Sequence, residues 1–451
     1  MKAIDLFCGC GGFSRGFEMA GIDVTHGIDI DEDALSTFSH NHPSSEAINH
    51  DISDGVLDTV RDDFDLVFGS PPCQGFSHAK GEREEGDERN SLVFSFTDWV
   101  DEIQPEYVVM ENVAGIRNIS DGFLDTVRDE YRDMGYEVCD GVLNSAEYGV
   151  PQKRERYFLL GVKESEDASP SLPSTTHRLP GDTQTTLDDL DGSDTRDAVL
   201  VGDAITDLPE VTQDGVVTVD TEPGNVFQRW VRDGDTVENH TARLPTEDDI
   251  DLVRRIPEGK MYRSSRFGEK YVQAWDLYDD VLTDDEQHVL WFVSRHRTRK
   301  KYKATDGSGP DYVPIERIDA DPEVVRSLYD DGWLRRKTEY NGYDEAYDIN
   351  TKSGVRPKYM RLDRHDVSNT LDTQSFNPRE KLHPTEDRGL SLREGARIQG
   401  FPDDFVFRGS FKSIAQQIGN AVPPLLAYKI ARHLLSLSGD EIPEKKTLFT
   451  D

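Results

Sequence analysis

The chain has 451 residues and a mass of 51.0 kDa, which suits two or three domains of ordinary size. No stretch approaches the ~18 consecutive apolar residues of a membrane span, and the first residues contain no signal-peptide core. Four cysteines are too few for a disulfide framework. We therefore expect a cytoplasmic protein with no membrane partner.

The net charge of −37 reflects an unusual choice of charged residues. The chain contains 56 Asp and 32 Glu, but 34 Arg and 17 Lys. Such a bias is typical of the cytosol of high-salt organisms, where a Debye length of ~3 Å at ~1 M salt removes long-range repulsion. We expect a salt-adapted prokaryotic protein, although a mesophilic acidic protein that repels polyanions fits the composition equally well.

Residues 1–162 alternate between strand-like and helix-like segments. The predicted helices are Phe13–Ala20, Glu32–His40 and Asn90–Gln104. The predicted strands are Ala3–Phe7, Asp23–Ile30, Phe64–Phe68, Tyr107–Met110 and Tyr157–Gly161. This alternation with short connections predicts an α/β domain with a mostly parallel sheet and helices on both faces.

The middle of the chain is less regular. Residues 163–230 are rich in Ser, Thr, Asp, Pro and Gly, which predicts an acidic linker or loop. Residues 231–356 show no period from which a fold follows. They contain a run at 295–303 with six Lys or Arg and no acid, followed by a basic triplet at 335–337. These clusters favour phosphate contacts over the alternative of a solvated helix face. Helices are predicted again at Leu392–Gln399 and Pro424–Leu437.

A glycine-rich turn follows the first strand, where residues 5–13 read DLFCGCGGF. Glycines let a backbone approach a ligand closely, and the following helix offers free N–H groups. Asp29 ends the second strand, where an acid can bind ribose hydroxyls. NAD, FAD and methyl-donor sites all use such a turn, and a plain tight turn is the alternative. Cys8 and Cys10 lack further ligands, so no metal is expected.

A second motif, GSPPCQGFS at residues 69–77, also follows a strand. Two prolines stiffen the loop and place Cys73 at a strand's carboxyl end, where open α/β sheets bind ligands. A cysteine is more often an inert core residue, but the prolines before it and Gln74 after it disfavour burial. We therefore interpret Cys73 as a nucleophile.

Three more motifs follow in order. Residues 111–113 read ENV and place Glu111 at the same sheet edge, although Asn112 could instead serve as a helix N-cap. Residues 152–156 read QKRER, so Arg154 and Arg156 point to one face; paired charges on an exposed edge are the alternative. Residues 417–424 read QIGNAVPP, a Gly-Asn turn before the last helix.

These five motifs, in this order, resemble the C5-type DNA (cytosine-5)-methyltransferase family. The resemblance covers residues 1–162 and about 356–437, and LREGARIQGFP at 392–402 is similar to another block of that family. It implies a Rossmann-like catalytic domain that binds S-adenosyl-L-methionine (SAM) and releases S-adenosyl-L-homocysteine. The implied SAM-binding residues are Phe7 on the adenine, Gly9, Gly11 and Gly12 at the methionine part, Asp29 on the ribose, Ile30, Asp51, Ile52, Pro72, Leu92, Asn420 and Ala421.

The resemblance also implies the catalytic roles. Cys73 would add to C6 of a flipped-out cytosine, Glu111 would hydrogen-bond N3, and Arg156 with Arg154 would orient the base. Gln74 and Ser77 would lie on a mobile loop that covers the base, with Asn112 beside it. The base that removes the C5 proton is not identified by the sequence.

The implied organisation is a split catalytic domain around a DNA reader. Its parts are the first catalytic part at 1–162, an acidic linker at 163–184, a target-recognition domain at 185–355, the returning catalytic part at 356–437 and a tail at 438–451. Arg295, Arg297, Arg299 and Lys300 would hold double-stranded DNA. A cognate restriction endonuclease acting separately is a possible partner, and a monomer suits an asymmetric reader.

Two features depart from the family pattern. Cys8 and Cys10 stand where small or apolar residues are usual, and the reader region is longer than in the smallest members. The alternatives are an RNA (tRNA) C5-cytosine methyltransferase, which Ser77 disfavours because such relatives carry Thr there, and a catalytically silent DNA-binding regulator. A dinucleotide oxidoreductase would share only the first turn.

Overall fold

The computed structural model describes residues 1–60, 63–72, 92–119, 122–181, 196–262, 268–296, 312–350 and 359–440. The chain divides into two compact units. The larger unit comprises Met1–Ala242, Arg364–Phe376 and Ser391–Asp451, and the smaller comprises Arg243–Asp363 and Asn377–Leu390. Within the described ranges, every helix is too short or too polar to cross a membrane.

A seven-stranded sheet forms the centre of the larger unit. Its strands are β1 (Lys2–Leu6), β2 (Asp23–Asp29), β3 (Glu46–Asn49), β4 (Leu66–Gly69), β5 (Tyr107–Val113), β6 (Tyr136–Asn144) and β8 (Glu155–Lys163), while β7 (Gln152–Lys153) lies outside it. The strand order is β3-β2-β1-β4-β5-β8-β6. The first five are parallel, and β8 is antiparallel to both neighbours. The mostly parallel α/β sheet predicted from the sequence is confirmed, with β3 and β6 as strands that the pattern missed.

Amphipathic helices connect the strands. They are α1 (Gly12–Ala20), α2 (Glu32–Asn41), α3 (Leu92–Ile103) and α4 (Phe123–Asp133). The helix α3 buries Val93, Phe96 and Val100, which recur at helical spacing, into the main core beside β1, β4 and β5. The helix α1 ends at Ala20 and is capped by Gly21, whose φ of 98° is left-handed.

Residues 177–242 add short elements to the larger unit. These are β9 (His177–Arg178), β10 (Arg196–Asp197), α5 (Val201–Ile205), β11 (Val217–Thr218), α6 (Val226–Val231) and β12 (Thr236–Val237). The strands β9 and β10 pair in parallel. The strand β9 lies within the predicted linker at 163–184, and β10 lies after it. The sequence analysis predicts a DNA reader at residues 185–355. In the structure, residues 196–242 of that range belong to the larger unit, together with the sheet.

The chain's return completes the larger unit with β19 (Ser368–Asn369), α11 (Leu392–Ile398), α12 (Phe411–Asn420) and α13 (Pro424–Ser438). A buried charge network explains why residues 196–242 belong here. Arg397 on α11 forms ion pairs of 2.6 Å with both Asp403 and Asp207, the latter just after α5. All three side chains are buried, so removing one partner would leave a buried charge unpaired. The helix α13 packs against α1, where Gly16 leaves no room for a larger side chain against Ala427.

The smaller unit has its own core. Its elements are α7 (Ile250–Arg255), β13 (Met261–Tyr262), β14 (Tyr271–Val272), α8 (Ala274–Leu277), α9 (Asp284–His296), β15 (Val313–Pro314), α10 (Pro322–Asp330), β16 (Leu334–Tyr340), β17 (Tyr343–Ile349), β18 (Met360–Arg361) and β20 (Lys381–Leu382). An antiparallel sheet in the order β15-β17-β16 packs with α9 and α10 around Val289, Val293 and Leu328. Asn341 and Gly342 have φ values of 53° and 83°, typical of a tight hairpin turn.

Candidate active site

A cavity of about 750 Å³ lies in the larger unit at the carboxyl ends of β1, β2, β4 and β5. This is the edge at which open parallel sheets place their ligands. The predicted site residues that line it are Phe7, Gly9, Gly12, Asp29, Ile30, Asp51, Ile52, Pro72, Leu92, Glu111, Asn112, Arg154, Arg156, Asn420 and Ala421. The structure therefore brings together motifs from the two ends of the sequence, such as those of Phe7 and Ala421.

The glycine-rich turn lines one side of the cavity in left-handed conformations. Phe7 has a φ of 61°, which is unusual for a bulky residue, and Gly9 has a φ of 53°. The N–H of Gly9 donates to Oδ2 of Asp29 at 2.8 Å, which ties the turn to the end of β2. A Cβ on Gly12 would lie 2.7 Å from the carbonyl oxygen of Val422. The turn therefore depends on glycine for its close approach to residues 421–422.

Gly11 does not line the cavity. A Cβ at this position would lie 2.3 Å from Nε2 of His42, and its φ is 92°. Its lack of a side chain is thus required for packing against His42 and for starting α1. Sequence alone could not separate this glycine from Gly9 and Gly12, because all three stand in one motif.

Two acids lie along the side of the cavity beyond the turn. Burial raises the pKa of Asp29, and the N–H groups of Gly9 and Asp31 that donate to its carboxylate partly offset this. The pKa of Asp51 is lowered because its carboxylate accepts hydrogen bonds from Ser53. Ile30, which follows Asp29 in the chain, also lines the cavity and is 66% exposed. A cavity that offers an exposed apolar side chain and two carboxylates suits a ligand with a flat ring and hydroxyl or amino groups.

An ion pair between a buried glutamate and a partly buried arginine lies at the other end. Nε of Arg156 on β8 is 3.0 Å from Oε1 of Glu111 on β5, because the two antiparallel strands place Arg156 beside Val113. Burial raises the pKa of Glu111, while the charges of Arg156 and Arg154 act in the opposite direction. Glu111 is thus a carboxyl group that can hold or share a proton more readily than an exposed glutamate.

Asn112 connects this pair to the segment before the predicted nucleophile. Its Nδ2 donates to the carbonyl of Pro71 at 2.8 Å, and its Oδ1 accepts from the N–H of Val113. Pro72, which precedes Cys73 in the sequence, lines the cavity. Cys73, Gln74 and Ser77 lie outside the described residues, as do Arg297, Arg299 and Lys300.

Arg154 lines the cavity, but its terminal nitrogens bind the backbone. Its side chain is buried and donates to the carbonyls of Leu371 at 3.1 Å and Gly419 at 3.0 Å. Burial lowers the pKa of Arg154 to about 9. Arg295 belongs to the smaller unit, at the end of α9.

Several lining residues were not predicted from the sequence. Among them are Cys8, Cys10, Asp31, Ser70 and Gln417. Burial raises the pKa of both the Cys8 and Cys10 thiols, which keeps them neutral. Asp31 follows the predicted Asp29 and Ile30, so its position in the motif was the available signal. In the described ranges, no group of three His, Cys, Asp or Glu side chains is arranged to hold a metal.

The sheet order and the position of the cavity at the strand ends define a Rossmann-like α/β domain. A crystal structure assigned as a prophage-encoded DNA modification methyltransferase (E. coli) has this fold, with a TM-score of 0.63 and 21% identity over 98% of this chain and 100% of that one. The sequence profile of the C-5 cytosine-specific DNA methylases matches residues 1–436. The chain belongs to that family and is a SAM-dependent DNA (cytosine-5)-methyltransferase.

Similar proteins extend over nearly the whole chain. The type II methyltransferase M.DdeI of Desulfomicrobium norvegicum is 31% identical over 453 residues, which cover 96% of this chain and 88% of that protein. M.AgeI of Thalassovita gelatinovora is 30% identical, with 96% of this chain and 98% of that protein covered. M.XorII of Xanthomonas oryzae is 29% identical over 96% of this chain and 84% of that protein.

Proposed function

We propose that the enzyme methylates one cytosine in a specific double-stranded DNA sequence after that base has been flipped into the cavity. The observation that carries this proposal is the ion pair of the buried Glu111 with Arg156 in the same cavity as Pro72, the residue before Cys73. A cytosine stacked inside a duplex cannot reach an enclosed carboxyl group, so the base must leave the helix.

Cys73 is the proposed nucleophile. C5 of cytosine attacks electrophiles poorly because the ring is aromatic. A thiolate that adds to C6 breaks this aromaticity and raises the electron density at C5. After methyl transfer, a base removes the C5 proton and Cys73 leaves by elimination. When bound, SAM supplies a methyl group on a positively charged sulfur.

Glu111 is proposed to hydrogen-bond N3 of the cytosine. Because burial raises its pKa, the carboxyl group can share a proton with N3 as negative charge develops on the ring. Arg156 holds the carboxyl group in place through its 3.0 Å contact and supplies positive charge near the ring. The carboxyl group of Glu111 thus shares the proton with N3, and Arg156 fixes the position of that carboxyl group.

The opposite end of the cavity fits SAM. Asp29 would accept hydrogen bonds from the ribose, while Phe7, Ile30, Ile52 and Leu92 offer apolar surface to the adenine. Asp51 would accept from the adenine amino group, and the turn Gly419–Ala421 with the glycines Gly9 and Gly12 would seat the methionine part. Pro72 lies where the two ends meet. The cavity volume lies within the ~300–1,000 Å³ of typical ligand sites.

The smaller unit is proposed to hold the DNA. Arg295 is exposed and its guanidinium lies 5.8 Å from the ring centre of Trp291, which is also exposed. On β16, Arg336 and Lys337 are exposed and lie over tyrosine rings. In a chain of charge −37, such surfaces are the natural phosphate contacts. We propose that Arg295, Arg297, Arg299 and Lys300 bind the backbone.

We further propose a salt-adapted, monomeric enzyme of the cytoplasm, paired with a separate restriction endonuclease. The excess of Asp over Glu supports the first point. The type II names of similar proteins support the endonuclease. Activity and DNA binding should persist near 1 M KCl, whereas an enzyme that fails above ~0.2 M salt would contradict salt adaptation.

The function is tested by expression in a host without cytosine methylation. Bisulfite sequencing should show 5-methylcytosine at one short motif. Cys73→Ser should abolish these marks while SAM binding, measured by calorimetry, persists. Full methylation by Cys73→Ser would exclude the covalent role, and purified enzyme that labels tRNA but not duplex DNA would favour the RNA alternative.

A further inference from the structure

Three buried polar side chains lie behind the cofactor end of the cavity. Gln152, Arg154 and Gln399 are each 1% exposed or less. Nη2 of Arg154 donates to the carbonyls of Gly419 at 3.0 Å and Asn420 at 3.5 Å, and Nε2 of Gln399 donates to that of Ala421 at 2.7 Å. Three consecutive carbonyls of one cavity-lining turn are thus held by side chains from elsewhere in the chain.

The same side chains fix a second segment against that turn. Oε1 of Gln152 accepts from the N–H of Leu371 at 2.7 Å, and Nη1 of Arg154 donates to the Leu371 carbonyl at 3.1 Å. A Cβ on Gly419 would lie 2.7 Å from the backbone nitrogen of Thr373, so the two segments are in close contact. Nε2 of Gln152 also donates to Oε1 of Gln399, which closes the network.

The network begins next to the reaction end. Arg154 and Arg156 are two residues apart on one extended stretch, and Arg156 contacts Glu111. In the described ranges, Arg154 itself forms no ion pair within 4.0 Å, and its hydrogen bonds go to backbone carbonyls. A buried cation without a close carboxylate is costly, and the backbone carbonyls that Arg154 binds indicate that its role is to fix the geometry of those segments.

We propose that Gln152, Arg154 and Gln399 are positioning residues that hold the turn Gly419–Ala421 in the shape that seats the methionine part of SAM. The inference rests on the proposed SAM-dependent function. It assigns Arg154 to the cofactor end and replaces the expectation that this residue orients the target base. The turn comprises the last two residues of α12 and the residue after them, whose carbonyls lack partners within the helix, so these side-chain bonds supply the missing partners.

The test compares three variants of the full chain. Arg154→Lys keeps the charge but cannot reach two separated carbonyls, and Gln399→Met removes the bond to Ala421. Lys153→Gln is the matched control, because Lys153 points the other way on the same stretch and lies 3.7 Å from Asp366 near the surface. Binding of S-adenosyl-L-homocysteine is measured by calorimetry without DNA, alongside KM for SAM, KM for DNA, kcat and Tm.

We expect Arg154→Lys to raise the Kd for S-adenosyl-L-homocysteine and the KM for SAM by about 10-fold or more, and Gln399→Met by about 5-fold. The kcat at saturating SAM and the KM for DNA should change by less than about 3-fold. Lys153→Gln should match the wild type in every measurement.

Two results would overturn the proposal. One is a fall in kcat of Arg154→Lys with cofactor affinity unchanged, which would place this arginine on the base. The other is a lower Tm in both network variants with wild-type cofactor affinity, which would make the network purely structural. If Arg154→Lys does not fold, Gln399→Met decides between these outcomes. Wild-type enzyme that binds the cofactor product but leaves DNA unmethylated would refute the proposed function and not this inference.

Discussion

The two ends of the cavity are built in opposite ways. At the reaction end, charged side chains contact each other directly, as Glu111 and Arg156 do. At the cofactor end, the lining is largely backbone, in the turns Phe7–Gly12 and Gly419–Ala421, shaped by hydrogen bonds from residues behind them. The reaction end should therefore be sensitive to single charges, and the cofactor end to backbone shape. A substitution at the reaction end should mainly lower kcat, and a substitution at the cofactor end should mainly weaken cofactor binding.

The largest effect is expected from Glu111→Gln. The amide keeps the shape of the side chain but cannot pass a proton to N3, so kcat should fall by about 10²–10⁴-fold. Calorimetry should show unchanged cofactor affinity, because Glu111 lies at the reaction end. Glu111→Asp, which retains the carboxyl group, should recover part of the activity; a Gln variant with wild-type kcat would remove Glu111 from the mechanism.

Asp29→Asn tests the cofactor end. An amide offers one oxygen in place of two, so it loses either a bond to the turn or one to the ribose. The KM for SAM should rise by about 10-fold or more, with kcat at saturation changed by a few-fold. Asp23→Asn, at the exposed start of the same strand, is the control and should have no effect. A drop in the kcat of Asp29→Asn with no change in the KM for SAM would contradict the proposed difference between the two ends.

The pH dependence of the reaction end follows from the charges around Glu111. The Arg156 cation lowers the pKa of this carboxyl group, against the larger effect of burial. Arg156→Gln removes that cation, so the pKa of Glu111 should rise further and its protonated form should persist to higher pH. The descending limb of the profile of kcat/KM against pH should therefore shift to higher pH. Arg156→Lys keeps the charge and should move it less, and equal profiles in all three enzymes would argue against Glu111 as the proton-sharing group.

The smallest effect is expected from Ile30→Ala. Its side chain is two-thirds exposed and should be covered only when the cofactor binds. Losing this apolar contact should weaken SAM binding by about 3- to 5-fold, in line with ~1 kcal/mol for the area involved. Ile30→Leu should bind almost normally. A loss as large as that of Asp29→Asn would show that apolar cover contributes as much as the acid does.

Much of the sheet could be predicted because its strands are short apolar runs ended by glycine or polar residues. The predicted bounds of β1, β2, β4 and β5 agree with the observed ones to within a few residues. The carboxyl ends of these strands predicted the sheet edge at which Asp29 and Glu111 line the cavity. The strands β3 and β6 were missed, since four of the nine residues of β6 are polar or glycine and β3 has a mixed pattern. Periodicity predicts only strands that bury one face or both.

The smaller unit could not be predicted in the same way. The sheet of β16 and β17 is completed by the two-residue strand β15, and the core mixes residues from α9, α10 and the hairpin. The strand β16 is exposed from Arg336 to Glu339, so it lacks an apolar run. Its stability comes from packing across distant segments, which leaves little trace in local composition.

The sequence by itself determined the residue types of the cavity: the glycines, the acids at strand ends and the carboxyl group near the end of β5. These residue types are recognisable in short motifs, because the local structure at each motif depends on neighbours within a few residues. Tertiary structure decided that Gly11 serves packing while Gly9 and Gly12 line the cavity, and that the guanidinium of Arg154 binds backbone carbonyls. The partners of Arg154 lie 217 to 266 residues away, and hydrogen bonds across such separations exist only once the chain has folded.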